Sequence, residues 1–278
     1  MSYRIIGDSC TDLPKALKVD PHFKLVPLTL IVDNDMIVDD ETYNQAEFLR
    51  LIKASPNSPK SACPSPEDYM KEFECEGDVF VVTLSSALSG SYNSAELAKK
   101  LYHEDHPEKN IEIIDSRSAS VAQTLITMKI KELIETGNSF HTVVEKVRAF
   151  RDGIKTKFVL ETLDTLRKNG RLTNIQAIIC SALNIKPVMG ATPEGTIYKL
   201  DQARGIVRAL ASMAKTIEQD VLKPKERILG ISHCNDYQRA LYVKDEILKR
   251  IPFKDYFIVD MAGVSTMYAN EGGIITAY

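Results

Sequence analysis

The chain has 278 residues, 44% of them apolar and 26% charged, with 13 Gly and 12 Pro. These are ordinary globular values that exclude a disordered, collagen-like or coiled-coil chain, and the length suits about two domains. Thirty-five basic against 38 acidic residues leave a net charge of −3, and the densest basic stretches, 167–171 and 223–227, are too short for a nucleic-acid footprint.

No apolar run approaches the ~18 residues of a membrane span, so no stable membrane insertion is expected. The amino terminus reaches Asp8 after a short apolar stretch, which does not read as a signal peptide. Five cysteines, at 10, 63, 75, 180 and 234, form no C-x-x-C pair. In a chain able to build its own core they read as reduced thiols of a cytoplasmic protein, with no metal site or cofactor expected.

In chain order, short β-rich runs alternate with longer helical ones. Strands are predicted over 3–7, 23–32, 78–84 and 110–114, then over 157–161, 185–189, 196–199, 228–232, 256–260 and 273–277. Apolar spacing of three and four predicts helices through Ile126, Ile130, Leu133 and Ile134, through Val143, Val147 and Phe150, and through Ile206, Leu210, Met213 and Ile217. Strands separated by helices imply an α/β, Rossmann-like amino-terminal domain with a parallel sheet. The second half has more strands per helix and suits a two-layer α+β domain. The expected junction follows the Gly153 that ends a helix, giving domains 1–153 and 154–278.

Three predicted strands of the first half end in hydroxyl-rich loops: Asp8-Ser9-Cys10-Thr11-Asp12, Ser85-Ser86-Ala87-Leu88-Ser89-Gly90-Ser91, and Asp115-Ser116-Arg117-Ser118. In a parallel sheet these carboxyl ends converge where ligands bind. The middle loop runs into a predicted helix, so Ser89, Gly90 and Ser91 offer hydroxyls and free amides to a carboxylate or phosphate. The competing reading makes Ser91 or Asn93 a simple helix cap. Ser65, Pro66 and Asp68 read as N-cap, first helical residue and capping box, which leaves Ser61 unexplained.

Phosphate-binding, dinucleotide, nucleophile-elbow and zinc-protease motifs are absent from the sequence. His103 and His106 read as a solvated helix end rather than metal ligands. His233 is a possible general base without an identifiable nucleophile, and Cys63 a possible nucleophile without an identifiable His.

Taken together, Asp8-Ser9-Cys10-Thr11-Asp12-Leu13-Pro14, Pro64-Ser65-Pro66, Leu84 to Ala95, Asp115-Ser116-Arg117, the stretch from Thr162 to Leu172 and Ile185-Lys186-Pro187-Val188 resemble the DegV family over essentially the whole chain. The resemblance implies a fatty acid held in an apolar tunnel between two domains, without catalysis by the chain itself, and for some members service to a separate ATP-dependent fatty acid kinase. It implies carboxylate contacts from Ser61 and Ser89 beside the Gly90 amide, with Ser91 adjoining. Arg204, Tyr268 and Asn93 would supply head-group or partner contacts.

Two departures stand out. The family's T-S-Q-P-S is here Ser61-Ala62-Cys63-Pro64-Ser65, and the His of its H-x-G-P-G is Tyr268, which donates a hydrogen bond but carries no positive charge near neutral pH. Two other readings stay open. One is an enzyme acting on a small phosphorylated or carboxylated metabolite, with His233 or Asp115 as base. The other is a regulatory homologue that has lost its ligand.

Overall fold

The computed structural model describes residues 2–172 and 184–278; Cys180 lies outside them. Four parallel strands, β1 (Tyr3–Asp8), β2 (Phe23–Val26), β6 (Asp78–Thr83) and β7 (Ile111–Asp115), form a sheet in the order β2-β1-β6-β7. Alternation along these strands loads both faces. Ile5, Phe80, Val82 and Ile114 pack on α5 (Val121–Glu135) and α6 (Phe140–Asp152). Ile6, Val79, Val81 and Ile113 pack on α3 (Pro66–Phe73) and α4 (Ser91–Asp105). The chain order reverses between β1 and β6, so the loops after β1, β6 and β7 meet at the switch point.

The predicted strand over 23–32 is two strands in different sheets. β2 ends at Val26, and Pro27, which has no N–H to donate, breaks the ladder. β3 (Thr29–Val32) then joins β4 (Asp35–Val38) and β5 (Lys60–Ala62) in a small antiparallel sheet of order β4-β3-β5. β4 and β5 carry no alternating pattern and were not expected. Helix α2 (Gln45–Ala54) links them, capped by the Asn44 side chain. A short helix, α1 (Lys15–Lys18), precedes β2.

The second half centres on a mixed six-stranded sheet of order β10-β9-β8-β13-β11-β12. Its strands are β8 (Thr156–Val159), β9 (Ile185–Ala191), β10 (Ile197–Arg204), β11 (Ile228–His233), β12 (Asp255–Asp260) and β13 (Ile274–Ala277). Helices α8 (Ile206–Asp220) and α9 (Tyr237–Leu248) bury Leu210, Met213, Ile217 and Val243 against one face. The other face meets α5, whose Val121, Ala122 and Leu125 pack with Val259 and Ala277. Helix α5 is therefore apolar on two sides, one for each large sheet; the sequence pattern shows mainly the first. Two short helices, α7 (Asp164–Lys168) and α10 (Gly263–Ala269), and a 3-10 turn over Pro224–Glu226 complete the described elements.

Local expectations hold at α3 and α4. Ser65 Oγ accepts from the Asp68 amide and Asp68 accepts from the Ser65 amide, with Pro66 first in the helix. Helix α4 ends at Asp105, with His106 as C-cap stacked on Tyr102. Among the described residues no group of His, Cys, Asp and Glu could hold a metal, and no helix is long and apolar enough to cross a membrane.

Candidate functional site

The three loops converge as their sequence implies. Leu84 N donates to Asp8 Oδ2 at 2.7 Å, Ser85 N to Ser118 O at 2.8 Å, and Ser120 N to Cys10 O at 3.1 Å. Most of their hydroxyls are consumed in holding the loops together. Ser9 Oγ accepts from Leu28 N, Ser86 Oγ donates to Asp115, and Ser120 Oγ donates to Asp12.

Ser91 belongs to this buried set. Tyr69 OH lies 2.6 Å from Ser91 Oγ, which itself donates to Asp8 Oδ2 at 2.7 Å. The Ser91 side chain thus faces the carboxylate under the sheet edge and does not line the pocket described below. Nor does it cap α4, whose N-cap is Gly90 with no side-chain cap bond. Asn93 is an exposed residue of that helix.

Beyond the loops, between the parallel-sheet edge and the six-stranded sheet, lies an apolar cavity of about 720 Å³, its mouth included. Phe158, Leu160, Leu166, Ile197 and Ile275 are among its walls. It adjoins a polar pocket lined by Ser61, Cys63, Ser89 and Gly90. Leu84, Leu88, Arg171, Val264 and Tyr268 line both, so the two spaces share walls. A polar head and an apolar body are thereby set side by side, the arrangement an amphipathic ligand requires.

The polar groups of this pocket come from four separate parts of the chain. Ser61 lies on β5, Ser89 and Gly90 lead into α4, and Tyr268 sits on α10. Arg171 follows α7 and donates from Nε to Leu88 O at 3.0 Å and from a terminal nitrogen to Asn169 O at 2.5 Å. Its guanidinium lies 5.9 Å from the Tyr268 ring centroid. Among the described residues Arg171 has no carboxylate partner, and segment 173–183 contains no Asp or Glu. Arg171 lies in the stretch from Thr162 to Leu172, where the sequence alone assigns it no role; the fold makes it the cation of this pocket. Burial pushes the Tyr268 phenol up despite Arg171 and a hydrogen bond with Ser61, so it stays protonated as a donor. Arg204 is placed elsewhere, at the exposed end of β10 beside Arg208.

Tyr268 and Val264 owe their position to two aspartates of the first half. Asp12 accepts from Ala262 N at 2.7 Å, and Asp39 accepts from Gly263 N at 2.7 Å and Val264 N at 3.0 Å. Carboxylates thus grip the positive end of α10. A Cβ at Gly263 would stand 2.5 Å from Leu30 and 2.6 Å from Asp39, so only glycine permits this approach. Burial pushes Asp12 up to about 7 and Asp39 up to about 6, against the hydrogen bonds they accept.

Between the ordinary carboxyl value of 3.8 and these values the folded state holds more protons than the unfolded one. These groups therefore make stability fall as pH rises through that window. The expected result is that Asp12→Asn loses less stability than the native chain between pH ~5 and pH ~8, read from urea unfolding. An equal loss in both proteins would remove Asp12 from the account.

The two candidate bases stand apart from the cavity walls. His233, almost fully buried, lies 3.4 Å from Asp260 and accepts from Asp236 N. Burial lowers its pKa, partly offset by Asp260. Asp115 is occupied by Ser86 and the Arg117 amide.

Comparison with known proteins gives the family and the fold. The model of the DegV family, a family of uncharacterised proteins, matches residues 2–277. The chain belongs to the DegV family. A DegV domain-containing protein of Streptococcus gordonii is 36% identical over 280 residues, covering 100% of this chain and 99% of the relative. A crystal structure of a DegV family protein from Ruminococcus gnavus, described with vaccenic acid, superposes with a TM-score of 0.97 at 46% identity, covering 99% of both chains. The Fak B3 protein of Streptococcus pneumoniae fatty acid kinase, loaded with linoleic acid, gives 0.92 at 34% identity over 100% of this chain and 99% of that one.

Proposed function

We propose that this DegV protein binds one long-chain fatty acid, its tail in the apolar cavity and its carboxylate among Ser61, Ser89, the Gly90 amide, Tyr268 and Arg171. The observation that carries the reading is the shared wall between a cavity lined by Phe158, Leu160 and Ile275 and a pocket holding hydroxyls and an uncompensated cation. The fatty acids held by the Ruminococcus gnavus and Streptococcus pneumoniae relatives support it.

Burying a tail of about 15 methylenes contributes roughly 12 kcal/mol gross at ~0.8 kcal/mol each. Association costs about 4–15 kcal/mol, so head-group contacts of ~1.5–3 kcal/mol each decide whether the complex is tight and which end faces out.

The chain itself is the carrier, and a separate ATP-dependent kinase acts on the presented carboxylate. The fatty acid kinase context of the 34% identical Fak B3 protein supports this assignment. The wall residues of the cavity include neither His233 nor Asp115, which favours carriage over catalysis on a small metabolite.

Titration calorimetry with palmitic acid and its methyl ester tests the head-group assignment. Ser89→Ala is expected to weaken the acid by about tenfold to a hundredfold and the ester far less. Unchanged affinity for the acid in both Ser61→Ala and Ser89→Ala would overturn it.

A further inference from the structure

We infer that the apolar cavity contains a second polar subsite, formed by Ser118 and Thr156, that accepts an oxygen carried on the acyl chain, so that the preferred ligand is an oxygenated long-chain fatty acid. The inference rests on the fatty-acid reading above and names a subclass of that ligand.

Thr156 opens β8, and alternation along the strand points it, with Phe158, to the cavity face. Ser118 reaches the same wall from the loop after β7. Both line the cavity and neither lines the head-group pocket, so the pair lies away from Ser61 and Ser89. Their hydroxyl oxygens are 2.6 Å apart, and the residues are only 6% and 8% exposed.

Each hydroxyl carries one proton, and the bond between them uses one of the two. Among the described residues neither hydroxyl has a further side-chain or backbone acceptor, so one donor remains unspent. The other serine of the wall differs, since Ser265 Oγ lies 3.9 Å from Cys10 Sγ and beside the Asp12 carboxylate, which leave it acceptors. The pair lines a space whose neighbouring walls are Phe158, Ala191 and Ile197.

A plain methylene chain filling this space leaves the donor buried without an acceptor, which weakens binding. A hydroxyl or keto oxygen at the right depth satisfies it. A carbon–carbon double bond is a much poorer acceptor and gains little.

Competition among stearic acid, oleic acid and a positional series of monohydroxystearic acids, read by calorimetry on the ligand-stripped protein, tests this. At least one hydroxy isomer is expected to bind about tenfold more tightly than stearic acid. Thr156→Val, nearly isosteric, leaves the Ser118 proton without a partner and is expected to keep a preference, whereas the double variant Ser118→Ala/Thr156→Val is expected to lose it while binding stearic acid at least as tightly as the native chain. Thermal unfolding of both variants establishes that they fold.

Stearic acid bound as tightly as every hydroxy isomer, or a preference that survives the double substitution, overturns the subsite alone. Oleic acid preferred over every hydroxy isomer does the same. Failure to bind any of these acids, stearic acid included, overturns the fatty-acid reading as well.

Discussion

Arg171→Ala is expected to weaken binding of a long-chain fatty acid by about tenfold to a hundredfold, while affinity for the matching methyl ester changes by no more than about threefold. The guanidinium stands where the hydroxyl-lined pocket and the apolar cavity meet, and no carboxylate of the described residues neutralises it. A ligand carboxylate supplies the missing charge, and a charge-assisted bond is about twice as strong as a neutral one. The acid-to-ester comparison matters because Arg171 also braces the loop at Leu88 and Asn169. Loss of that brace would weaken both ligands alike, whereas loss of the head-group charge weakens only the acid. Arg171→Lys keeps the charge without the fork and is expected to fall between the two. Equal losses for acid and ester would reduce Arg171 to a structural role.

The second large effect concerns stability. Asp8 is fully buried and accepts hydrogen bonds from the amides of Cys10 and Leu84, from Ser91 Oγ and from Gln123 Nε2. Burial raises its pKa, opposed by these donors. Asp8→Ala removes the acceptor of four buried hydrogen bonds, at about 1–3 kcal/mol each, so a loss of at least ~4 kcal/mol is expected in urea unfolding. Because Asp8 ties the ends of β1 and β6 to the start of α4, ligand binding should fall with stability. Asp8→Asn keeps an acceptor oxygen and should cost less than Asp8→Ala. A loss below ~1 kcal/mol for Asp8→Ala would mean that the loops are held by backbone bonds alone.

Much of this arrangement is legible in the sequence, and the reasons for the rest are physical. Strand alternation in Ile5-Ile6 and Phe80-Val81 marks a sheet covered on both faces, and the hydroxyl-rich strand ends mark the edge where the site forms. The pattern cannot separate Ser89 from Ser91. The two lie two residues apart, and what turns Ser91 inward is Asp8, 83 residues earlier. Arg171 is similarly hidden, because its polar contact at Leu88 is 83 residues away. A basic residue after a short helix otherwise resembles any solvated one.

The hairpin from β3 to β4 leaves no periodic trace, since β4 is an exposed edge strand. It nevertheless delivers Asp39 to the start of α10. Helix α5 shows the opposite case. Its second apolar stripe, Val121 to Leu125, is present in the sequence but gains meaning only when a second sheet arrives to cover it.

The most direct test of the account is organic extraction of the purified protein followed by mass spectrometry, with native mass spectrometry giving the stoichiometry. The chain contains no Trp, so tryptophan quenching offers no signal. One long-chain fatty acid per chain is expected, or uptake of one after addition to stripped protein. Protein that yields no lipid and takes up none when palmitic, stearic and oleic acids are added would contradict it.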